Sequence, residues 1–184
     1  GRPGNPPTTT AGAAWLLPAD ETAVKRHGLR PIGQIVDTGW AGLDPAQMGL
    51  GPVHAATPIM KRNNLGVNDL DYWEINEAFA AQVLGCLAAW KDEKYCKEQL
   101  GLDRAMGALD ESKHNVDGGA IALGHQVATP GARVVRPLPK GLQHTKHNRG
   151  IASIFRRRGT GGAQRVPATL PEQSYPASPR SPGP

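Results

Sequence analysis

A short strand followed at once by an almost wholly apolar helix constrains this chain most. The run Tyr72–Ile75 (YWEI) predicts a short strand with one aromatic residue on each face. The segment 76–90 then repeats Phe79, Val83 and Leu87 at four-residue intervals among alanines, with Leu84 beside them. This spacing predicts a helix that is buried on most of its circumference.

The remaining elements are predicted from local signals. Pro18, two acidic residues and a final Gly28 predict a helix over 19–28, and apolar residues predict strands over 32–38 and 150–155. Glycine and proline predict a loop over 41–53. A helix is predicted to follow over 54–63, disturbed by Pro58. The charged segment 91–112, which contains Cys96, is predicted to be an exposed excursion, and Cys86 to be a small buried apolar residue.

Charge is distributed unevenly along the 184 residues, whose net charge is +5. Residues 1–132 contain 11 basic and 15 acidic side chains, a balance of −4, so the remaining 10 basic and one acidic give residues 133–184 a balance of +9. Residues 165–184 hold six prolines and one aromatic residue, too little apolar surface to offset the entropy of ordering. We therefore predict a domain over 1–164 and a disordered tail rich in Pro, Arg and Ser over 165–184.

Composition also excludes several classes of protein. Two cysteines, Cys86 and Cys96, are too few for a disulfide framework and lack metal-site spacing, which favours reduced thiols in a cytoplasmic protein. The sequence has no run of 18 apolar residues and no apolar stretch of a signal peptide at its start, which argues against a membrane location. It does not begin with Met, so we expect a fragment of a longer protein. No aromatic residue alternates with Arg156–Arg158, which disfavours a nucleic-acid-binding role for the basic segment.

Three segments in order carry a resemblance to a known family. They are Met48–Val53 (MGLGPV), Glu74–Ala80 (EINEAFA) and Asn115–His125 (NVDGGAIALGH). Together they resemble the C-terminal half of thiolases, the acyltransferases that make or cleave 3-ketoacyl-CoA, over roughly residues 4–163. The resemblance implies an α/β fold with a mixed five-stranded sheet and helices on both faces. It also implies acyl-CoA as the bound substrate, no metal or separate cofactor, and a homo-oligomeric parent enzyme.

The resemblance assigns roles to five residues. Thiolase chemistry needs a thiolate to take the acyl group, a base to remove a proton, and donors to hold a developing oxyanion. His125 matches the histidine that activates the nucleophilic cysteine, and Asn76 matches the asparagine that completes the oxyanion site through a water. Met48, Phe79 and Gly124 match positions that line the substrate channel. Taken alone, Asn76 would be interpreted as a helix N-cap and His125 as a solvated loop residue.

The sequence departs from the family pattern at its C-terminal end. The nucleophilic cysteine belongs to the thiolase N-terminal half, which this sequence does not contain, and Phe155 stands where the family's second cysteine exchanges a proton. Arg156–Arg158 replace glycines there, Gln126 replaces a proline, and Pro137 interrupts an expected helix. One hypothesis is a shifted reading frame within 126–184. We predict that the isolated chain is inactive, and a non-catalytic thiolase-like module for acyl-CoA binding or dimerisation is the alternative function.

Overall fold

The structure, a computed structural model, describes residue 8 and residues 10–126, 129–138, 149–156 and 160–167. Helices α1 to α6 span Glu21–His27, Gly51–Arg62, Ala80–Lys91, Glu93–Leu100, Ala120–Leu123 and Pro130–Val135. Strands β1 to β4 span Asp37–Gly42, Tyr72–Ile75, Arg149–Arg156 and Thr160–Pro167. Short 3₁₀ helices cover Pro45–Leu50, Val67–Asp69 and Glu111–Lys113.

The strands form one mixed sheet in the order β1-β4-β3-β2. β2 runs parallel to β3, whereas β3–β4 and β4–β1 are antiparallel. The predicted mixed α/β architecture is therefore present, but five strands are not confirmed, because the described residues contribute four. β4 reaches Pro167, three residues beyond the predicted domain limit at 164, and residues 168–184 of the predicted tail lie outside the described part of the chain.

Helices cover both faces of the sheet, as predicted. Side chains alternate along a strand, so Trp73 and Ile75 share one face of β2 while Tyr72 shares the other with Glu74. Trp73 and Ile75 pack into a cluster with residues of α2 and α3. Tyr72 packs with residues 134, 135 and 138 at and after α6. β2 and the part of β3 beside it are consequently buried between two layers, which places the carboxyl end of β2 inside the domain.

Helix α3 differs from its prediction in which face it buries. Val83 and Leu87 are buried, but Leu84 is 64% exposed and Phe79 is 37% exposed, so the prediction that all four are buried is wrong for two of them. The helix packs against α2, α4 and the 3₁₀ helix at 45–50, which leaves one side open. Because nearly every side chain of α3 is apolar, the sequence holds no polar stripe to mark that open side.

The helix that follows, α4, corrects the prediction of an exposed excursion. Most of its side chains are exposed, but Cys96 is fully buried, and its thiol lies 3.4 Å from the carbonyl oxygen of Ala89. Tyr95 packs on the main apolar cluster. The charged segment is therefore a docked helix with a polar outer face. Cys86 is fully buried in α3, as predicted.

Two element positions were also predicted wrongly. β1 begins at Asp37, not at Ile32, and the side chain of Ile32 is 52% exposed. Helix α2 begins at Gly51, inside the predicted loop, and continues through Pro58 to Arg62. Pro58 lacks the N–H that an interior helical residue donates, but its side chain is exposed, so the helix accommodates it at its surface.

Candidate active site at the carboxyl end of β2

Asn76 extends the pairing of β2 by one residue. Its backbone N–H donates to the carbonyl oxygen of Ser153 in β3 at 3.0 Å, and the residue is 2% exposed. Helix α3 begins four residues later, at Ala80, so the interpretation of Asn76 as an N-cap is wrong. Its side-chain oxygen instead accepts a hydrogen bond from Nη2 of Arg133 in α6 at 3.4 Å. Asn76 is thus a buried amide held between β3 and α6.

The glycine-rich segment that follows residue 114 is tied to the same strand. Asn115 adopts a positive φ of 46° and places its side chain beside Ile75. Its Nδ2 donates to the Ile75 carbonyl oxygen at 2.9 Å, and its Oδ1 accepts from the Ile75 N–H at 2.9 Å. The Asn115 side chain therefore forms the pair of hydrogen bonds with the Ile75 backbone that a neighbouring strand would form.

Glu77 fixes the next part of this segment. Its carboxylate accepts from Asn115 Nδ2 at 2.7 Å and from the backbone N–H of Ile121 at 2.9 Å, next to the start of α5. A Cβ atom at Gly119 would collide with this carboxylate, so a larger residue there would displace Glu77 from these hydrogen bonds. Glu77 was not predicted as a site residue. The signal was its place in the Asn-Glu pair directly after a strand.

His125 lies at the end of this segment, in contact with the N-terminal part of the chain. Its N–H donates to the carbonyl oxygen of Thr8 at 2.8 Å, and its own carbonyl oxygen accepts from the Thr10 N–H at 3.3 Å. Gly124, immediately before it, has φ 92°, and a Cβ there would lie 2.6 Å from the Thr10 side chain. A residue with a Cβ atom would be strained there by the positive φ and would collide with the Thr10 side chain, so this position favours glycine.

The imidazole of His125 is partly buried and favours its neutral form. Burial lowers its pKa below the ordinary value, and the positive charge of Arg133 lowers it further. Its Nδ1 is buried without a hydrogen-bond partner in the part of the chain that the structure describes. A neutral imidazole with a free ring nitrogen can accept a proton or hold a polar ligand.

A buried carboxyl group lies beside these residues and was missed by sequence reasoning. Glu74 in β2 is 1% exposed, and burial raises its pKa from 4.5 to about 8 despite the opposing charge of Arg133. Tyr72 lies on the same face of β2 and donates a 3.0 Å hydrogen bond to Asp117. An acidic residue inside a buried strand was the available signal, because such a group needs a partner or a raised pKa.

The structure connects some of the predicted site residues. Arg133 contacts Asn76 and acts electrostatically on His125, which follows Gly124 in the chain. Phe79 lies at the start of α3, three residues after Asn76, and Met48 lies in the 3₁₀ helix that packs on α3. Met48 and Phe79 are each 37% exposed.

Neither a membrane-spanning helix nor a metal centre is found in this part of the protein. Within the described ranges, no helix has both the length and the apolar character needed to span a bilayer. Among the same residues, no group of three or more His, Cys, Asp or Glu side chains could hold a metal ion.

A family model described as the thiolase C-terminal domain matches residues 29–168. The chain is 36% identical over 158 residues to a 3-ketoacyl-CoA thiolase of Shewanella loihica, covering 85% of this chain and 36% of that protein. It is 38% identical over 152 residues to a beta-ketoadipyl-CoA thiolase of Pseudomonas aeruginosa, covering 82% and 34%. The chain therefore spans about a third of the length of these curated relatives.

Solved structures give the same result. The crystal structure of human mitochondrial 3-ketoacyl-CoA thiolase superimposes with a TM-score of 0.67 and 36% identity, covering 83% of this chain and 34% of that chain. The Bacillus anthracis acetyl-CoA acetyltransferase superimposes with a TM-score of 0.65 and 34% identity, covering 81% and 34%.

Proposed function

Because the chain belongs to the thiolase family, we propose that it forms the C-terminal half of an acyl-CoA acyltransferase and supplies His125 and Asn76 to the site. The observation that carries the proposal is the link between these two residues through Arg133. Asn76 accepts its hydrogen bond, and the same guanidinium acts on the His125 imidazole. The substrate is a coenzyme A thioester, the class named in the relatives, and no further cofactor is needed.

His125 takes the role of the base. Its lowered pKa leaves the imidazole neutral at neutral pH, which is the form that can remove a proton from a cysteine thiol. Once protonated, the ring donates to the thioester oxygen as negative charge develops there. Asn76 completes the oxyanion site through a water that its side-chain amide holds.

The nucleophile must come from outside this sequence. Burial raises the pKa of the Cys86 thiol to about 12, so that thiol stays protonated at neutral pH. Cys96 is fully buried in α4. Neither thiol can reach an acyl group, so the attacking thiolate lies in the N-terminal part of the relatives that this chain does not span, and the chain alone is inactive.

Phe155 favours a second candidate function. It lies on β3, two residues beyond Ser153, at the end of the parallel strand pair where Asn76 also lies. A phenyl ring carries no exchangeable proton, so a site built on this chain lacks the acid/base needed for carbon–carbon cleavage. A non-catalytic module that binds acyl-CoA or mediates dimerisation would not need that group.

The wider setting follows from the names of the relatives and from composition. We place the parent protein in acyl-CoA metabolism, including that of fatty acids, as a cytoplasmic homo-oligomer that binds neither nucleic acid nor membrane. The metabolic setting rests on the 3-ketoacyl-CoA and beta-ketoadipyl-CoA thiolase relatives, and the cytoplasmic location on the two free cysteines. The oligomeric state rests on the family resemblance, and the absence of nucleic-acid and membrane partners on the sequence pattern.

Titration of the chain with acetyl-CoA, followed by NMR of the histidine ring protons, tests the proposal. The His125 signal should shift saturably, and Asn76→Ala should weaken binding. His27 on α1 is exposed and serves as the internal reference, and His27→Ala as the control variant. A chain that is folded but whose His125 signal is unmoved by acetyl-CoA would contradict a thioester site here.

A further inference from the structure

Arg133 interacts with both proposed catalytic residues, Asn76 through a hydrogen bond and His125 through its charge. Helix α6 packs on β2 and β3, which brings the Arg133 guanidinium over the end of β2. Its Nη2 donates to Asn76 Oδ1 at 3.4 Å. An arginine side chain has donors only, so the asparagine must turn its oxygen toward Arg133 and its NH₂ group away from it. The contact thus decides which end of the Asn76 amide is available to a ligand.

Glu74 leaves β2 on the face that α6 covers, the same face as Tyr72. Residues 74 and 76 lie two positions apart along the strand path, so both side chains leave the same face. Glu74 is 1% exposed and interacts electrostatically with Arg133. Among the described residues, Glu74 Oε1 and Arg133 Nε are buried and have no hydrogen-bond partner, so both groups retain unused hydrogen-bonding capacity beside Asn76.

We propose that Arg133 is a positioning residue that fixes the side-chain orientation of Asn76 and places a positive charge beside His125. The inference deepens the proposed function and rests on it for the roles of Asn76 and His125. In that function, Asn76 must present a donor to an oxygen atom and His125 must stay unprotonated until it meets a thiol. The guanidinium of Arg133 meets both requirements, by orienting the Asn76 amide and by disfavouring protonation of His125.

The charges around His125 allow the idea to be tested by titration. Arg133, from α6, is the charged group that acts on its imidazole. The N-terminal segment that packs against it contributes Thr8, Thr10 and Gly12, none of which titrates. Burial, the other cause of the lowered pKa, is a property of the backbone arrangement and should survive a change at Arg133 in a folded chain.

The experiment is an NMR titration of the histidine rings in the full chain without ligand. Arg133→Gln should raise the pKa of His125, and Arg133→Lys, which keeps the charge, should leave it low. Arg133→Met gives the same test with an uncharged side chain of similar length and should also raise the pKa of His125. His54 and His114, whose pKa values are lowered chiefly by burial, are the internal controls and should not move.

The titration midpoint of His125 in these variants decides whether Arg133 has the positioning role. A rise of the His125 midpoint in Arg133→Gln or Arg133→Met, with His54 and His114 constant, supports the positioning role. An unchanged His125 midpoint in folded Arg133→Gln and Arg133→Met would overturn it, and if Arg133→Gln does not fold, Arg133→Met alone decides. Because no thioester is present, this outcome is independent of whether the chain binds acetyl-CoA.

Discussion

Replacing Glu74 with Gln should change how the stability of this chain depends on pH. The Glu74 side chain is 1% exposed in β2, between Trp73 and Ile75, and burial raises its pKa from 4.5 to about 8. The folded chain therefore keeps this carboxyl group protonated up to about pH 8, whereas the unfolded chain releases the proton near its ordinary value. Glutamine has nearly the same shape and never ionises.

The direction and size of the pH-dependent change in the free energy of unfolding follow from these two pKa values of Glu74. Because the folded pKa is above the unfolded one, the stability associated with Glu74 is fully present below about pH 4.5 and is lost as pH rises through about 8. Between these limits the free energy of unfolding should fall by about 1.4 kcal/mol per pH unit, or roughly 5 kcal/mol in total. The histidines with lowered pKa values act oppositely, since they lose stability as pH falls through their range.

Urea unfolding of the wild type and of Glu74→Gln at several pH values from about 5 to 8.5 isolates the effect, because the histidine contributions cancel in the difference. The variant should gain on the wild type by about 1.4 kcal/mol for each pH unit. Glu98→Gln, at an exposed position on α4, is the matched control and should show a constant difference. If the difference for Glu74→Gln is also constant over this range, the buried neutral carboxyl is refuted.

Further predictions concern packing, thiols and catalysis. Leu87→Ala should lower the free energy of unfolding by about 2–5 kcal/mol, because Leu87 is buried. Leu84→Ala, at a residue 64% exposed on the same helix, should change it by less than about 0.5 kcal/mol. Equal losses for the two variants in urea unfolding would mean that α3 is wrongly oriented. Cys86 and Cys96 should react with a thiol reagent only as fast as the chain unfolds, since both are buried, and rapid labelling of either in native buffer would count against the packing of α3 and α4. Phe155→Cys should not give the isolated chain thiolysis of acetoacetyl-CoA, because the nucleophile is still absent, and loss of the substrate's enolate absorbance would show otherwise.

Elements with strong local signals were predicted well from the sequence. β2 was predicted at its observed residues, and β3 within one residue at each end. Helix α1 begins two residues after its predicted start and ends one residue before its predicted end, with Asp20 capping it through a 2.7 Å bond to the Ala23 N–H and Gly28 in the left-handed region. In each case the deciding interactions lie within a few residues of the element, so they are visible in a short window of sequence.

Elements whose position depends on distant partners were predicted less well. β1 is built around Gly39, where a Cβ would lie 2.8 Å from the carbonyl oxygen of Ala55 in α2. This close approach fixes where the strand forms, whereas the more apolar Ile32 lies outside it and is half-exposed. Neither the approach of α2 nor the pairing with β4 leaves a local signal in the segment.

In the candidate site, too, local signals were predicted well and contacts with distant residues were not. Asn76 and His125 were predicted from motifs, but their surroundings depend on contacts across large sequence separations. Arg133 lies 57 residues from Asn76, and Asn115 lies 40 residues from Ile75. Glu74 resembled an ordinary strand residue until the packing of α6 showed that it is buried.

Acyl transfer tests the central claim most directly, the claim being that this chain supplies His125 and Asn76 to a site whose nucleophile lies elsewhere. The chain is joined to the N-terminal part of a 3-ketoacyl-CoA thiolase, incubated with acetyl-CoA, and its cysteines are analysed by mass spectrometry for a new acetyl thioester. We expect acetylation of a cysteine of the added part, slowed about 100-fold or more by His125→Ala, and none in the isolated chain. Acetylation or acetoacetyl-CoA turnover by the isolated chain, abolished by His125→Ala, would contradict the account.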